Sequence, residues 1–303
     1  MTSSPKIAAV FATMNRAQTA VACVEALAGQ TRPPDLVVVA DNVSCDETVS
    51  ALKGMGALPF PLKVIEMPDN RGNAGGVEVA MDHAFGQGMD AVWILDDDSF
   101  PRASAVEELL AGDWDRKVVR HSIQIDPATG KFTWPMQVWT GREFDLADGP
   151  DDIPSGDFIR TRIMWTGALV SKEVRDTIGR VNAGLFIRGE DEEYPWRMEK
   201  GGFAQEAALR SVLDHKGPDD LVHLKFLGKN LFLERGLNDW KLYYKIRNMV
   251  WLRLRQAGWL SAIFMAAAYL VAVSWVDGAQ RIPLILSAAK DGLIGRLGKW
   301  QGH

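Results

Sequence analysis

Three consecutive carboxylates, Asp96-Asp97-Asp98, close the apolar run Ala91-Val92-Trp93-Ile94-Leu95. Like charges at neighbouring positions repel and raise one another's pKa, so acids at the end of a buried run are best explained by a cation. Mg²⁺ or Mn²⁺ would serve, because hard divalent ions take oxygen ligands and often bind through one or two carboxylates plus substrate phosphates. The bland alternative is a solvated acidic turn or a helix start, which Ser99, Pro101 and Ser104 also suit. A second apolar run, Leu185-Phe186-Ile187, leads through Arg188-Gly189 into Glu190-Asp191-Glu192-Glu193. Acids in the first turn of a helix are favoured by its dipole, and that accounts for at least two of these four. Between the acidic groups lie two other polar sets. Asn70-Arg71-Gly72-Asn73-Ala74-Gly75-Gly76 precedes a helical pattern expected over Val77 to Phe85. Its glycines allow close backbone approach, helix N-terminal N–H groups favour phosphate, and Arg71 could add charge-assisted bonds. A flexible loop with a helix cap is the alternative. Asp41-Asn42 either offers a carboxylate to a nucleobase or ribose or closes an Asx turn.

These residues need a scaffold that brings them together. Ile7 to Phe11, Leu36 to Ala40, Leu62 to Met67 and Ala91 to Leu95 read as buried strands, with a helical pattern from Thr19 to Ala28 and others between them. Strands alternating with helices imply right-handed βαβ units and a parallel sheet. Ligands of such sheets bind at the carboxyl ends of the strands, and Thr13-Met14-Asn15-Arg16, Asp41-Asn42 and Asp96-Asp97-Asp98 all follow strands. No Gly-X-Gly-X-X-Gly follows the first strand, which argues against a nicotinamide dehydrogenase. The glycine loop lacks the Gly-Lys-Ser/Thr ending of a Walker A loop. The stretch from Val118 to Arg162, with Trp134, Trp139 and an acidic run, reads as surface loops or part of an acceptor site. Ile163 to Val170 reads as a turn and a strand.

The set Thr13-Met14-Asn15-Arg16, Asp41-Asn42, Asn70-Arg71-Gly72 and Leu95-Asp96-Asp97-Asp98 resembles the inverting family 2 glycosyltransferases, which have a GT-A fold. Four motifs in this order, each after a strand, make the resemblance specific, and it extends from residue 6 to residue 250. The likeness is greatest to the galactofuranosyl- and rhamnosyltransferase branch. It implies an α/β, Rossmann-like and mostly parallel sheet with flanking helices. It further implies that Asp96, Asp98 and His215 hold Mg²⁺ or Mn²⁺ against a nucleotide diphosphate sugar, either UDP-galactofuranose or dTDP-rhamnose. Thr13, Asn15, Arg16, Asp41, Asn70, Arg71, Gly72, Asp97 and Trp165 would bind the donor or line the site. A sugar ring can stack on Trp165, and a core tryptophan is the alternative. By the same match Asp191 is the catalytic base and Glu190 supports it, although the family's branch often has tryptophan where Gly189 stands. Tyr243-Tyr244-Lys245-Ile246-Arg247-Asn248 resembles a late segment that could close over the donor phosphates, or it is one face of a basic helix. Two other classes stay open. A nucleotidyltransferase would need a glycine-rich loop with a basic residue after the first strand, and Phe11 to Arg16 holds no glycine. A non-catalytic sugar-binding protein would not need the acids at Glu190 and Asp191.

The 303 residues suffice for one or two domains, and the reading divides them into a catalytic domain over 1–235 and a helical, membrane-associating region over 236–303. The net charge of −5 argues against general nucleic-acid binding. Charge is uneven: Trp240 to His303 holds nine Lys/Arg and two Asp, net +7, while the other 25 basic and 37 acidic residues net −12. A basic tail on an acidic body suggests an anionic surface, with the membrane first. Ala257 to Val276 carries no formal charge and is bracketed by Trp259 and Trp275. The favoured reading is helices on or dipping into the inner leaflet; a true span and a packed bundle or oligomer interface are the alternatives. Two cysteines suit a reducing compartment. Met1 to Lys6 is polar, and Ile7 to Phe11 is too short for a signal-peptide core. The expected location is therefore the cytoplasm, peripheral on the inner face of the cell membrane, with a glycan or glycolipid as acceptor.

Overall fold

The computed structural model describes residues 4–162, 164–226 and 229–302. Ile163, the first residue of the expected turn and strand, lies outside the described residues, as do Met1 to Ser3 and His303. The elements in order are β1 (Ile7–Thr13), α1 (Ala17–Ala28), β2 (Leu36–Asp41), α2 (Thr48–Lys53), β3 (Leu62–Glu66), α3 (Gly72–Gly86), β4 (Ala91–Ile94), β5 (Phe100–Pro101), α4 (Ala105–Leu109) and β6 (Val118–Ile125). There follow β7 (Met136–Trp139), β8 (Phe144–Ala147), β9 (Phe158–Arg162), β10 (Ala168–Ser171), α5 (Lys172–Ile178), α6 (Glu190–Lys200), β11 (Ala204–Asp214), β12 (Leu221–Phe226), β13 (Lys229–Glu234), α7 (Asp239–Asp277) and α8 (Ile282–Ile294).

The chain forms two compact units, Met1–Asn182 with Tyr194–Gly217, and Ala183–Glu193 with Pro218–His303. In the first, strands run in the order β3-β2-β1-β4-β10-β6-β11-β9-β7-β8, with β5 on β11. β3, β2, β1 and β4 are mutually parallel, as the alternation of strands and helices requires. β10 pairs antiparallel with both β4 and β6, so the sheet becomes mixed there. β1, β2 and β4 are wholly buried, which explains their continuous apolar runs: strands covered on both faces do not alternate. Their side chains meet Cys23, Val24 and Leu27 of α1 in one core. Helix α3 lies close over β1 and β2 because residue 76 is glycine; a Cβ there would stand 2.6 Å from the Ala12 Cβ. That helix starts at Gly72 rather than Val77, so the glycine loop is its first turn. The stretch from Val118 to Arg162 is largely sheet, with β6 to β9 inside it, where surface loops were one expectation. β7 alternates buried and half-buried residues. Its partners β8 and β9 carry Asp145, Arg160 and Arg162, and these charges mask the period-2 pattern.

In the second unit, β12 and β13 form a hairpin. Helix α7 breaks at Gly258, whose φ of 78° and ψ of −175° are non-helical. Its first half is mostly buried from Leu242 to Leu252. Helix α8 packs closely on that half: a Cβ on Gly292 would meet the Arg247 carbonyl oxygen at 2.5 Å. Tyr243 donates to Asp291 Oδ2 at 2.6 Å, and Trp300 stacks on Tyr243 with centroids 4.7 Å apart. Beyond the break, Ala262, Tyr269 and Val273 are buried, whereas Trp259, Ile263, Ala267, Val271 and Trp275, four residues apart in turn, are exposed. Among the described residues one helix, α7, is long and apolar enough to cross a membrane by length and composition.

Candidate active site

Because β1, β2 and β4 are parallel and in register, Thr13 faces Asp41 across the ladder and Val10 faces Ile94. The segments that leave these strands therefore emerge on one edge. The three aspartates after β4 are held in three different ways. Asp97 is buried and accepts from Thr13 Oγ1 at 2.7 Å and from Arg16 Nη1 at 2.9 Å. Burial pushes its carboxyl up to about 6, with Arg16 and Thr13 opposing the shift. Asp98 accepts from Arg16 Nη2 at 2.9 Å. Asp96 accepts from Thr166 Oγ1 at 2.6 Å. Thr166 sits in the turn before β10, where Gly167, at φ 89°, donates its N–H to the Ile94 carbonyl at 2.7 Å. A Cβ at 167 would lie 2.9 Å from the Ser122 carbonyl oxygen, so the turn requires glycine.

His215 follows β11. Its Nδ1 lies 3.0 Å from Ser99 Oγ, and its Nε2 lies 3.7 Å from Asp98 Oδ1. A neutral ring that donates from Nδ1 to Ser99 leaves the Nε2 lone pair on the Asp98 side, the state a metal ligand needs. One ligand atom from each of Asp96, Asp98 and His215 lies within 4.8 Å of the others. Two carboxylates and an imidazole suit Mn²⁺, and the carboxylates alone suit Mg²⁺.

The other expected residues form two further groups on the same edge. Asn15, at φ 54°, donates its N–H to Ser44 Oγ at 2.8 Å and accepts from the Cys45 N–H at 2.8 Å. Asp41 is 2% exposed and accepts from both the N–H and the hydroxyl of Ser44. Its carboxylate thus closes a turn in this structure, and Asp41-X-X-Ser44 is the sequence signal for that turn. At the start of α3, Asn42 accepts from the Arg71 N–H and donates to the Gly72 carbonyl, each at 3.1 Å. Asn70 accepts from the Gly72 N–H at 2.9 Å. The Arg71 guanidinium pairs with Glu78 at 3.3 Å. Trp165 is 4% exposed and meets Tyr194 edge-on at 5.7 Å. Its indole face is packed in the core rather than open to a sugar. Ser44, Ser99 and Thr166 orient the expected groups.

Asp191 and Glu190 belong to the second unit's share of α6. Glu190 is buried and Asp191 exposed, so Asp191 is the accessible carboxylate of the pair. Its Oδ1 accepts from the Gly189 N–H at 2.7 Å. Arg188 forms a paired contact with Glu234, whose second bond is 2.8 Å, and Lys245 reaches Glu234 at 3.1 Å. Arg247 and Asn248 are buried and bonded to backbone carbonyls of the 184–188 segment. They are occupied by the protein rather than left open for donor phosphates.

Comparison with known proteins agrees with this geometry. Residues 9–164 match the glycosyl transferase family 2 domain. Galactofuranosyltransferase GlfT1 of Mycolicibacterium smegmatis (strain ATCC 700084 / mc(2)155) is 26% identical over 268 residues, 85% of this chain and 86% of the relative. Galactofuranosyltransferase GlfT1 of Mycobacterium tuberculosis (strain ATCC 25618 / H37Rv) is 30% identical over 217 residues, 68% of this chain and 69% of the relative. Among solved structures, GalNAc-T7 with UDP, GalNAc and Mn²⁺ superposes with a TM-score of 0.61 at 13% identity. That match covers 96% of this chain but only 56% of the other, so this chain spans little more than half of the solved protein. The fold is GT-A, and the match across more than half the chain makes this protein a member of glycosyl transferase family 2.

Proposed function

We propose that the protein transfers a hexose from a nucleotide diphosphate sugar to a lipid-linked or polysaccharide glycan of the cell envelope, with inversion, and that the donor is UDP-galactofuranose. The observation that carries the reading is the cluster of Asp96, Asp98 and His215 at the carboxyl edge of the sheet. These three would hold Mg²⁺ or Mn²⁺. Bound there, the ion would offset charge developing on the departing diphosphate. Arg16, Asn15, Asn70 and Gly72 flank the cluster's edge of the sheet, and the first N–H groups of α3 suit phosphate oxygens. Asp191 accepts the proton of the acceptor hydroxyl as that oxygen attacks C1 opposite the leaving group. One base suffices, because direct displacement needs no covalent nucleophile. Glu190, its buried neighbour, would support it. Galactofuranose is favoured because both GlfT1 relatives are named for that sugar. The glycine at 189 keeps dTDP-rhamnose as the comparison donor. Purified protein incubated with each donor and an acceptor lipid extract should release UDP from UDP-galactofuranose only while a divalent ion is present. Undiminished release in excess chelator would overturn the metal role, and release from dTDP-rhamnose alone would overturn the donor.

Residues 1–235 form the catalytic domain in this reading, and 236–303 associate with the inner face of the membrane. The exposed row Trp259, Ile263, Ala267, Val271 and Trp275 is the apolar side. Leu260 and Trp275 are 85% and 76% exposed. Arg255, Lys290, Arg296 and Lys299 supply exposed cations, each worth about 1 kcal/mol near an anionic leaflet. Replacing Trp259 and Trp275 together by alanine should weaken adsorption to phosphatidylserine vesicles without lowering the melting temperature. Full-length protein that ignores such vesicles would remove the membrane from the account.

A further inference from the structure

We propose that Asn248 and Arg247 are the positioning residues of the base loop, fixing where the Asp191 carboxylate stands. This rests on the reading of Asp191 as the base. The loop is conformationally costly. Phe186, Arg188 and Gly189 have φ of 67°, 63° and 105°, and left-handed backbone is unfavourable for the first two. Such a loop has no ladder to satisfy its carbonyl groups. The Asn248 amide does so instead: Nδ2 donates to the carbonyl oxygens of Leu185 at 2.9 Å, Ile187 at 3.1 Å, and Arg188.

Arg247 decides which way that amide faces. Its Nε donates to Asn248 Oδ1 at 2.8 Å, so the Asn248 amino group must point at the loop. Its Nη2 donates to the Leu185 and Gly184 carbonyls at 2.9 and 3.2 Å, and its Nη1 to Gly298 O at 2.6 Å. The Gly298 N–H returns a bond to the Gly184 carbonyl at 2.6 Å. Both side chains are buried, where a missing partner would leave polar groups unsatisfied. Phe186 stacks on Tyr244 at 5.0 Å, while the Arg247 guanidinium lies 4.7 Å from the Tyr244 ring centroid. Gly189 then rests directly on Asn248. A Cβ at 189 would come within 2.8 Å of the Asn248 Cβ, and the Gly189 N–H is the donor that orients Asp191 Oδ1. The line of contact runs from Arg247 through Asn248 and Gly189 to the base. A tryptophan cannot replace Gly189 while this asparagine and this backbone are kept.

The decisive variants are N248D and N248A. The first keeps the shape but turns a donor into a carboxylate oxygen facing three carbonyl groups. A misplacement of a reacting group by about 1 Å costs on the order of 10²-fold in rate. We expect both variants to lower kcat for transfer by about that factor, with KM for the donor and UDP affinity unchanged. Hydrogen exchange should rise in the 184–193 segment and stay constant in β1 to β4. R247K, which keeps the charge but loses the Nε donor, should show the same split more weakly. Transfer at the wild-type rate in N248D and N248A, with D191N inactive, would overturn this proposal alone. Parallel loss of kcat and UDP affinity would also overturn it, because that pattern reports general unfolding. An active D191N would overturn the base assignment, and this proposal with it.

Discussion

Asp96-Asp97-Asp98 and Glu190-Asp191 are both short acidic runs after apolar segments, yet the backbone beneath them is built differently. The first run leaves β4, which is paired with β1 on one side and β10 on the other. Register fixes its place, and single side chains from neighbouring segments (Thr13, Arg16, Thr166) trim the carboxylates. The second run follows two non-glycine residues in left-handed conformation, and buried side chains of α7 supply the hydrogen bonds that a sheet would have given. A carboxylate borne by a sheet edge suits a static job such as holding an ion. In the proposed mechanism, the carboxylate that meets a proton in the transition state stands in the first turn of α6, after a loop whose position is set by a few replaceable contacts.

Substitutions can break that division of labour. The largest effect should come from D191N, which keeps size and loses basicity: general base catalysis contributes ~10²- to 10⁴-fold, so turnover should fall in that range while UDP binding stays intact. Steady-state transfer assays check this, and near-normal turnover would move the base elsewhere, with Glu190 next.

Acid should separate the two regions next. His121 in β6 is fully buried beside Gln205, and burial pushes its pKa down to about 4. Between pH 6.5 and pH 4 the unfolded chain binds a proton there that the folded chain does not. His121 therefore contributes a loss of at most about 3 kcal/mol as pH drops through that window, while Asp97, raised by burial to about 6, opposes it because there the folded chain binds the extra proton. Glu234, the anchor of Arg188, behaves otherwise. Burial raises its pKa, but the Arg188 hydrogen bond and the Lys245 charge outweigh this and hold it below the usual glutamate range. Its contribution is present above the unfolded-state pKa and is lost only as pH falls through the lower folded-state value. Hydrogen exchange resolved by segment should show H121Q, which removes the His121 contribution, protecting the sheet more than the wild type between pH 6.5 and pH 4 while leaving the base loop unchanged. Equal protection in H121Q and the wild type across that window would remove the His121 contribution from the account.

A smaller effect is expected at Thr166. Partners that orient metal ligands are typically worth 10- to 100-fold in affinity. T166V should weaken Mn²⁺ binding by about 10-fold, the lower end, because Asp96 keeps its place on the strand. Calorimetric titration with Mn²⁺ measures it, and an unchanged affinity would remove Asp96 from the ligand set.

Legibility from sequence follows the same division. The parallel strands β1, β2 and β4 and the groups at their ends were readable because burial on both faces gives unbroken apolar runs and each polar group follows directly. His215 was readable only through family resemblance, since nothing in the residues around it ties it to Asp98, 117 positions earlier. The sheet within Val118 to Arg162 was hidden by charges on its outward positions. Trp165 could equally have been core or sugar platform, and only its burial decides for core. Asn248 stands about 60 residues after the carbonyls it holds, |i−j| of 60 to 63. No local pattern marks such a contact, and the segment containing it read as well for phosphate contact as for a basic helix face.

Binding of UDP in the presence and absence of Mn²⁺, measured by calorimetry on D98A and D191N side by side, tests the separation of roles most directly. We expect D191N to bind UDP with the Mn²⁺ dependence of the wild type, and D98A to lose that dependence and bind more weakly. Wild-type metal-dependent binding by D98A, or its loss in D191N, would contradict the assignment of one acidic run to the ion and the other to the proton.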